Sequence, residues 1–434
     1  MGCQYFSPCE HGAESFTVAI PKLTFGRGCL KEAGARAAQR GMTRVALFTD
    51  AFLKDGPYVS IVQQSLREAG LDFAVFSEIR IEPDDTTVIN AARFVTEGGF
   101  DGVISVGGGS VMDTAKAAMV YALYPADFLD YFPPPIGQGM PVPGALLPHL
   151  ACPTTSGTGS ECTSVSVIRI NDLNTKFVLG HPLLLADEAL VDPACCDSLP
   201  GNVVASTGFD LLSHAIECYT AKAYTRWAKV EDPSKRTYAQ GANPWSDLAA
   251  IRALELVGEF LERGVNDASD SEARDQLMWG ATLAGMAFGN TGTHLPHAMS
   301  YGVTHLMRDI TTEGYSIASP FIPHGISVIA SAPAIFRYTA AGAPERHLEA
   351  ANSLGANAWD AGADDAGEVV ASRIIELMKK TGMPNGLGEL GFGPADVKAL
   401  AASSARQLRP IANAPRETNL VDIENIYAAA LSYR

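Results

Sequence analysis

Long apolar runs are missing from this 434-residue chain. A membrane-spanning helix needs about 18 apolar residues in succession. The longest candidate, near residues 143–152, is interrupted by prolines and a histidine. No span and no membrane partner are expected. Cysteine is also sparse. Cys3, Cys9, Cys29, Cys152, Cys162, Cys195, Cys196 and Cys218 show no C-x-x-C and no zinc-finger spacing, so reduced thiols are the default. Basic residues are outnumbered: 32 Lys and Arg face 48 Asp and Glu, a net charge of −16. No run of five basic residues occurs. Nucleic acid is therefore not an expected partner, because the phosphate field repels such a surface. The first twenty residues hold no arginine, and Phe6 stands where an N-myristoylation motif has Ser or Thr. With no secretory pattern either, a cytoplasmic location is expected.

What is present reads as a globular enzyme-sized chain of two domains. Strand-like runs at 45–49, 73–76 and 102–106 alternate with helical patterns at 60–69, 87–98 and 110–123. Such alternation implies a parallel sheet flanked by helices. Residues 163–179 read as a β-hairpin appended to that sheet, turning at 171–174. Beyond residue 200 the pattern is helical, at 204–220, 246–263, 272–288, 324–338, 345–353 and 366–381. The polar stretch 223–244 reads as a long loop. The expected division is 1–200, α/β, and 201–434, all-helical.

Gly107, Gly108, Gly109 and Ser110 follow the third strand and open a helix. Glycines let backbone approach a ligand, and free amides at a helix start favour phosphate. The spacing is not G-x-G-x-x-G, and a tight strand-to-helix turn explains it equally well. Ser110 and Asp113 fit a capping box. Asp50 ends the first of these strands, where a carboxylate either holds a ribose diol or caps a helix. Residues 153–161, with Thr154, Thr155, Thr158 and Ser160, suit a loop that lays hydroxyls and amides along a polar ligand.

In 206–221, Phe209, Leu212, Ile216 and Tyr219 form one helical face, and Asp210, His214 and Glu217 oppose it. Residues four apart point the same way, so Asp210 and His214 either share a metal ion or make an ordinary surface pair. His297 and His324 would complete one carboxylate and three imidazoles, a set suited to Fe²⁺ or Zn²⁺. His294, three residues before His297, either faces the same cavity or caps a helix.

These motifs, in this order, resemble those of the iron-containing (group III) alcohol dehydrogenases. Gly107 through Lys116, with Asp113, is similar to their GGGSxxDxxK motif, 153–161 to their PTTxGTGSE loop and 208–217 to their GxDxLxHAxE helix. His297-Ala298-Met299 and Pro323-His324-Gly325 resemble the remaining metal motifs. Within the family, 127–131, 135–137, 238–244 and 344–349 resemble the hydroxyacid–oxoacid transhydrogenase branch. The resemblance implies an α/β dinucleotide-binding domain like that of dehydroquinate synthase, an all-helical metal-binding domain and a catalytic cleft between them. It implies NAD and a divalent metal, Fe²⁺ ahead of Zn²⁺, held by Asp210, His214, His297 and His324. Gly108, Gly109 and Ser110 would contact the pyrophosphate. Thr154, Thr155 and Lys176 would lie along ribose and phosphates, with Gly107, Asp113, Thr158 and Ser160 in the same cofactor set. Asp50 matches the acid that favours NAD over NADP. Many members carry a histidine four residues after His297. Tyr301 stands there instead, so Tyr301 and His294 are the proton-relay candidates.

The implied reaction moves hydride from a hydroxyacid or alcohol to an oxoacid through retained NAD(H), as from 4-hydroxybutyrate to 2-oxoglutarate. Lys235, Arg236 and Arg308 are candidate partners for a substrate carboxylate. The alternative is an NAD-dependent alcohol dehydrogenase that releases NADH. A lyase of the dehydroquinate-synthase kind and a non-catalytic binder fit the motifs less well. The partly apolar surface expected of such proteins is compatible with a homodimer.

Overall fold

A computed structural model describes residues 5–6, 9–306, 308, 310, 312, 314–315 and 321–433. Cys3 lies outside them. The other seven cysteines are free thiols. Among the described residues no helix is long and apolar enough to cross a membrane.

Two compact units form. One is Ala19–Asp197, and the other joins the described parts of Met1–Val18 and Ser198–Arg434. The first unit holds strands β1 (Lys22–Phe25), β2 (Arg44–Phe48), β3 (Asp72–Phe76), β4 (Gly102–Gly107), β5 (His149–Pro153), β6 (Val165–Ile170), β7 (Thr175–Gly180) and β8 (Glu188–Val191). Its helices are α1 (Ala33–Gln39), α2 (Pro57–Glu68), α3 (Asp85–Gly98) and α4 (Gly109–Leu123). Six strands make one parallel sheet in the order β1-β8-β5-β4-β2-β3. Alternation along β2 explains both covered faces. Ala46 and Phe48 enter one core with Val88, Ala91, Val95, Val111 and Ala115 of α3 and α4. Val45 and Leu47 enter the other with Ala33, Ala37, Val59, Val62 and Leu66 of α1 and α2.

Strands β1, β5 and β8 carry no clear signal in the sequence. β1 and β8 are only four residues long, and β5 is bounded by Pro148 and Pro153. The expected hairpin forms, with Asn174 left-handed at its turn (φ 48°). It is not added to the parallel sheet. β6 and β7 make a separate antiparallel pair, and Ser166 Oγ–H and Val167 N–H are bonded to Asp113 of α4.

The second unit comprises α5 (Gly201–Thr220), α6 (Pro244–Asn266), α7 (Ser271–Thr291), α8 (Leu295–His305), α9 (His324–Ile329), α10 (Ala332–Thr339), α11 (Pro344–Ser353), α12 (Ala366–Lys380), α13 (Val397–Ser404), α14 (Leu408–Ala412) and α15 (Leu420–Ala429). The single helix expected at 324–338 is two. Pro333 sits in the first turn of α10, where it lacks the N–H that a continuous helix would need. Helix α5 is buried from Val203 to Thr220 apart from Thr207, so its polar face is interior and not a solvated surface.

The expected boundary assigned residues 1–18 to the α/β domain. Those of them that the structure describes belong with the helices instead. Tyr5 stacks on Tyr224 and donates its hydroxyl to Asp247, Ala13 N–H donates to the Trp227 carbonyl, and Arg236 donates to the hydroxyls of Thr17 and Ser15. The loop 223–244 is thus pinned by the chain's own beginning.

Candidate functional site

The direction in which successive strands are added reverses between β2 and β4: β3 lies on one side of that pair, and β5 and β8 follow on the other. In open parallel sheets, ligands bind outside the carboxyl ends of strands at such a reversal. Asp50 follows β2 there, and the glycine loop follows β4. Strands β4 and β5 pair through Gly107 and Pro153, and Thr154 N–H donates to the Gly107 carbonyl at 3.0 Å. The two loops found in the sequence are thereby brought together. A Cβ on Gly108 would stand 3.4 Å from the Thr155 methyl, and one on Gly109 only 2.9 Å from the Thr158 methyl. The Thr155 hydroxyl is buried without a hydrogen-bond partner, an arrangement that a ligand would satisfy.

The other candidates here have protein partners. Asp113 does not cap α4. That helix starts at Gly109 behind Gly108, with no side-chain cap. Its carboxylate instead accepts from Ser160 Oγ at 2.6 Å and Val167 N at 2.9 Å. Lys116, fully buried, donates to the carbonyls of Ser160, Thr163 and Val165 at 2.6, 2.9 and 3.0 Å. Asp113, Lys116 and Ser160 therefore hold the 153–161 loop against α4. Ser110 Oγ accepts from Glu82 N at 3.1 Å, and Lys176 is ion-paired with Glu82. Lys176, expected along phosphates, thus has a carboxylate partner in the protein. Asp50 accepts the amides of Phe52 and Leu53 at 2.9 Å through Oδ1, the turn-capping role. Burial raises its carboxyl, against those two bonds.

In the helical unit, α5 carries Asp210 into the interior, α8 carries His297, and His324 begins α9. Asp210, His297 and His324 each offer a donor atom within 4.8 Å of the others. Asp210 Oδ1 lies 3.4 Å from His297 Nε2 and 3.7 Å from His324 Nε2. Two ligands about 2.0–2.2 Å from a tetrahedral ion are roughly 3.3–3.6 Å apart. Those spacings are long for a hydrogen bond and suited to a shared cation. Asp210 Oδ1 and His297 Nε2 are buried and without hydrogen-bond partners. His214 meets Asp210 from the side, Nδ1 at 3.8 Å, with its ring stacked on Phe288 and on His297. One carboxylate and three imidazoles suit a borderline divalent ion.

Glu217, one turn beyond His214, is the residue that sequence reasoning left without a role. Its Oε1 accepts from His297 Nδ1 at 2.6 Å and its Oε2 from the His294 backbone N–H at 2.6 Å. With Nδ1 keeping its proton for Glu217, Nε2 is the nitrogen that would offer a lone pair to a cation beside Asp210. Burial opposes charge on His297, but Glu217 and Asp210 outweigh it and raise the imidazole to about 10. Burial likewise raises Asp210, yet the three imidazoles carry it below the usual carboxylate range. The spacing was the available signal, since Glu217 shares the polar face of α5.

His294, the other relay candidate, is held at both ring nitrogens. Its Nδ1 accepts from Leu295 N at 2.8 Å, so Nε2 carries the proton and meets Thr220 Oγ at 3.0 Å, whose hydroxyl donates to Ile216 O. Both ring nitrogens are occupied, and the residue is the N-cap of α8. Tyr301 lies one turn beyond His297 on α8 and is buried. Of the cations expected near a substrate carboxylate, Lys235 is exposed, Arg236 is bonded to Ser15 and Thr17, and Arg308 is ion-paired with Asp396.

Comparison with known proteins agrees with this geometry. The iron-containing alcohol dehydrogenase family model matches residues 21–193, and the C-terminal model of the Fe-containing alcohol dehydrogenase family matches 237–431. The chain is 39% identical to the mitochondrial hydroxyacid-oxoacid transhydrogenase of Mus musculus and 38% identical to that of Homo sapiens, each over 96% of this chain and 90% of the relative. Among solved structures, a 1,3-propanediol oxidoreductase superposes with a TM-score of 0.84 at 28% identity, over 96% of this chain and all of the other. The NAD⁺ complex of a sulfoacetaldehyde reductase from Bifidobacterium kashiwanohense gives 0.77 at 28%, over 97% and 100%. The cytoplasmic location expected above is corrected by these relatives, which are named mitochondrial. This chain belongs to the iron-containing alcohol dehydrogenase family and is an oxidoreductase.

Proposed function

We propose that the protein transfers hydride between a hydroxyacid and an oxoacid, with 4-hydroxybutyrate as donor and 2-oxoglutarate as acceptor, through NAD(H) that stays bound. The observation that carries this reading is the identity of 39% along 96% of the chain with a protein of that activity by name. Asp210, His214, His297 and His324 would hold one divalent ion, Fe²⁺ or Zn²⁺. Gly107, Gly108 and Gly109 would cradle the pyrophosphate, with Thr154 and Thr155 on the ribose side and Asp50 at the adenosine ribose. The ion supplies Lewis acidity at the substrate oxygen, and the nicotinamide supplies the hydride acceptor.

The chain's own residues then do four things. Glu217 fixes the tautomer of His297. Phe288 fixes the ring plane of His214. Lys116 and Asp113 hold the threonine loop in place for the cofactor. Tyr301, as a hydroxyl that both donates and accepts, would pass a proton toward water. A homodimer fits the open sheet edge at β1, beside exposed Ile20 and Phe25, and light scattering tests it.

The solved relatives include plain alcohol oxidoreductases, which favours a second reading: a dehydrogenase that releases NADH and takes primary alcohols. One experiment separates the two. Iron-loaded protein, freed of loose nucleotide, is given 4-hydroxybutyrate and 2-oxoglutarate without NAD. Many turnovers of 2-hydroxyglutarate by mass spectrometry support transhydrogenation. No product, with NADH formed once NAD and an alcohol are added, supports the second reading.

A further inference from the structure

Two cations in the helical unit lie over one indole. Lys222 Nζ is 4.4 Å and Arg409 Cζ 3.8 Å from the centre of the Trp227 ring. The two charges therefore cannot be more than about 8 Å apart, and like charges at that range repel. Several arginines elsewhere in this acidic chain have carboxylates, among them Arg346 with Asp247, Arg263 with Asp270 and Arg337 with Glu368. Lys222 and Arg409 are in no ion pair among the described residues. Arg409 donates only to the Ala239 carbonyl. A pair of half-solvated cations held this way, with no anion of the protein's own, is an anion site in waiting.

The surrounding polar atoms point to the same spot. The Trp227 Nε1–H is buried with no partner, and so are the Thr291 hydroxyl and Asn413 Oδ1. They are neighbours. A Cβ on Gly241 would stand 2.8 Å from Trp227 Nε1, and Gly241 N–H donates to the Thr291 carbonyl at 3.0 Å. Asn413 Nδ2 donates to the carbonyls of Thr291 and Thr293 at 3.3 and 3.0 Å, and the Asn413 carbonyl accepts from Lys222 N at 2.9 Å. Burying three unsatisfied polar groups together is costly unless a ligand or water completes them.

The strap 291–294 links this spot to the metal-type cluster. One side of it is tied to Asn413, and at its other end His294 N–H is tied to Glu217, which holds His297. Thr293 precedes His294, the N-cap of α8, and so stands four residues before His297 in the chain.

We propose that Lys222, Trp227 and Arg409 form the carboxylate-binding locus of the enzyme, taking a short hydroxyacid or oxoacid by its acid group. The ammonium, guanidinium and indole N–H would face the carboxylate. This rests on the acid-substrate reading above, and the experiment separates their failures.

Metal-loaded wild type, K222M, R409M, R409K, W227F and the surface control R252M are compared. Succinate binding is followed by calorimetry. Turnover of 4-hydroxybutyrate is compared with that of 1-butanol, with NAD supplied. Wild type is expected to bind succinate, K222M and R409M at least tenfold more weakly, with R409K and W227F between. The ratio of kcat/KM for acid over alcohol should fall at least tenfold in K222M and R409M, mainly through KM. R252M should match wild type. Should a methionine variant melt early, R409K and W227F carry the test. Succinate that fails to bind wild type, or binds all variants alike, overturns the locus. If succinate binding is lost in R409M while no acid is turned over by wild type, the locus stands and the transhydrogenase reading falls.

Discussion

Replacing Glu217 with glutamine tests the orientation of His297 without removing bulk. The carboxylate accepts two hydrogen bonds of 2.6 Å, from His297 Nδ1 and from the His294 backbone. A carboxamide accepts through only one atom. The backbone N–H of His294 cannot become an acceptor, so the amide oxygen goes to it and the NH₂ group is left facing Nδ1. The imidazole responds by moving its proton to Nε2, which aims a hydrogen at Asp210 where a cation would need a lone pair. Loss of such an orienting partner lowers metal affinity about 10–100-fold, and the lost charge-assisted bond is worth about 1.5–3 kcal/mol. Zn²⁺ titrated against a competing chelator should therefore show E217Q binding at least tenfold more weakly than wild type, with the metal-free proteins giving the same circular dichroism. The aspartate variant, one methylene short of reaching both donors, should fall between. Equal affinity in E217Q and wild type would refute the orienting role.

Three further outcomes follow from buried groups. Lys116→Met leaves Asp113 uncompensated and three carbonyls without their ammonium; it should lower urea stability by about 3–5 kcal/mol and weaken NAD binding in a fluorescence titration. His294→Ala removes a ring bonded at both nitrogens and should lower stability by about 1–3 kcal/mol at unchanged metal content, whereas a loss of turnover at full loading and normal melting would mark it as a relay. Burial, aided by Lys116, lowers His149 to about 3, so the unfolded chain binds the extra proton first as pH falls below the ordinary histidine value near 6.5. Stability is then full above that value and drains toward pH 3 at up to about 1.4 kcal/mol per unit. Denaturant midpoints between pH 7 and 4 should fall more steeply for wild type than for His149→Gln.

Much of this fold was legible because each element has its own period. β2, β4 and α2 to α4 are regular enough to be read, and β6–β7 announces itself by a polar turn. β1, β5 and β8 were not, since a four-residue strand or one fenced by prolines has too few positions for a period to show. The beginning of the chain was misplaced for a different reason. Tyr5 is drawn to Tyr224, Asp247 and the loop around Trp227, contacts more than 200 residues distant that no local pattern encodes. At the site, residue types and spacing sufficed to collect Asp210, His214, His297 and His324, because a helix turn fixes the first pair and chemistry suggests the rest. Which motif residues touch ligand and which brace the frame was not legible. Asp113 and Ser160 look like ligand contacts in a string of letters, and only the structure shows the 2.6 Å bond by which they brace the loop.

That distinction has a physical criterion. A buried polar atom already bonded within the protein gains little from a ligand, whereas one left bare carries a desolvation cost of about 1–3 kcal/mol that a ligand can return. By this measure the motif residues divide cleanly. Lys116, Asp113, Ser160, Glu217 and His294 have protein partners for the atoms that matter. Asp210 Oδ1, His297 Nε2 and Thr155 Oγ, and away from the motifs Trp227 Nε1 and Asn413 Oδ1, do not. A fold that keeps five such atoms bare is less stable than one that pairs them. The deficit is recovered when cation, cofactor and carboxylate bind, so ligand binding should raise the melting temperature in steps that substitution of each bare atom removes one at a time.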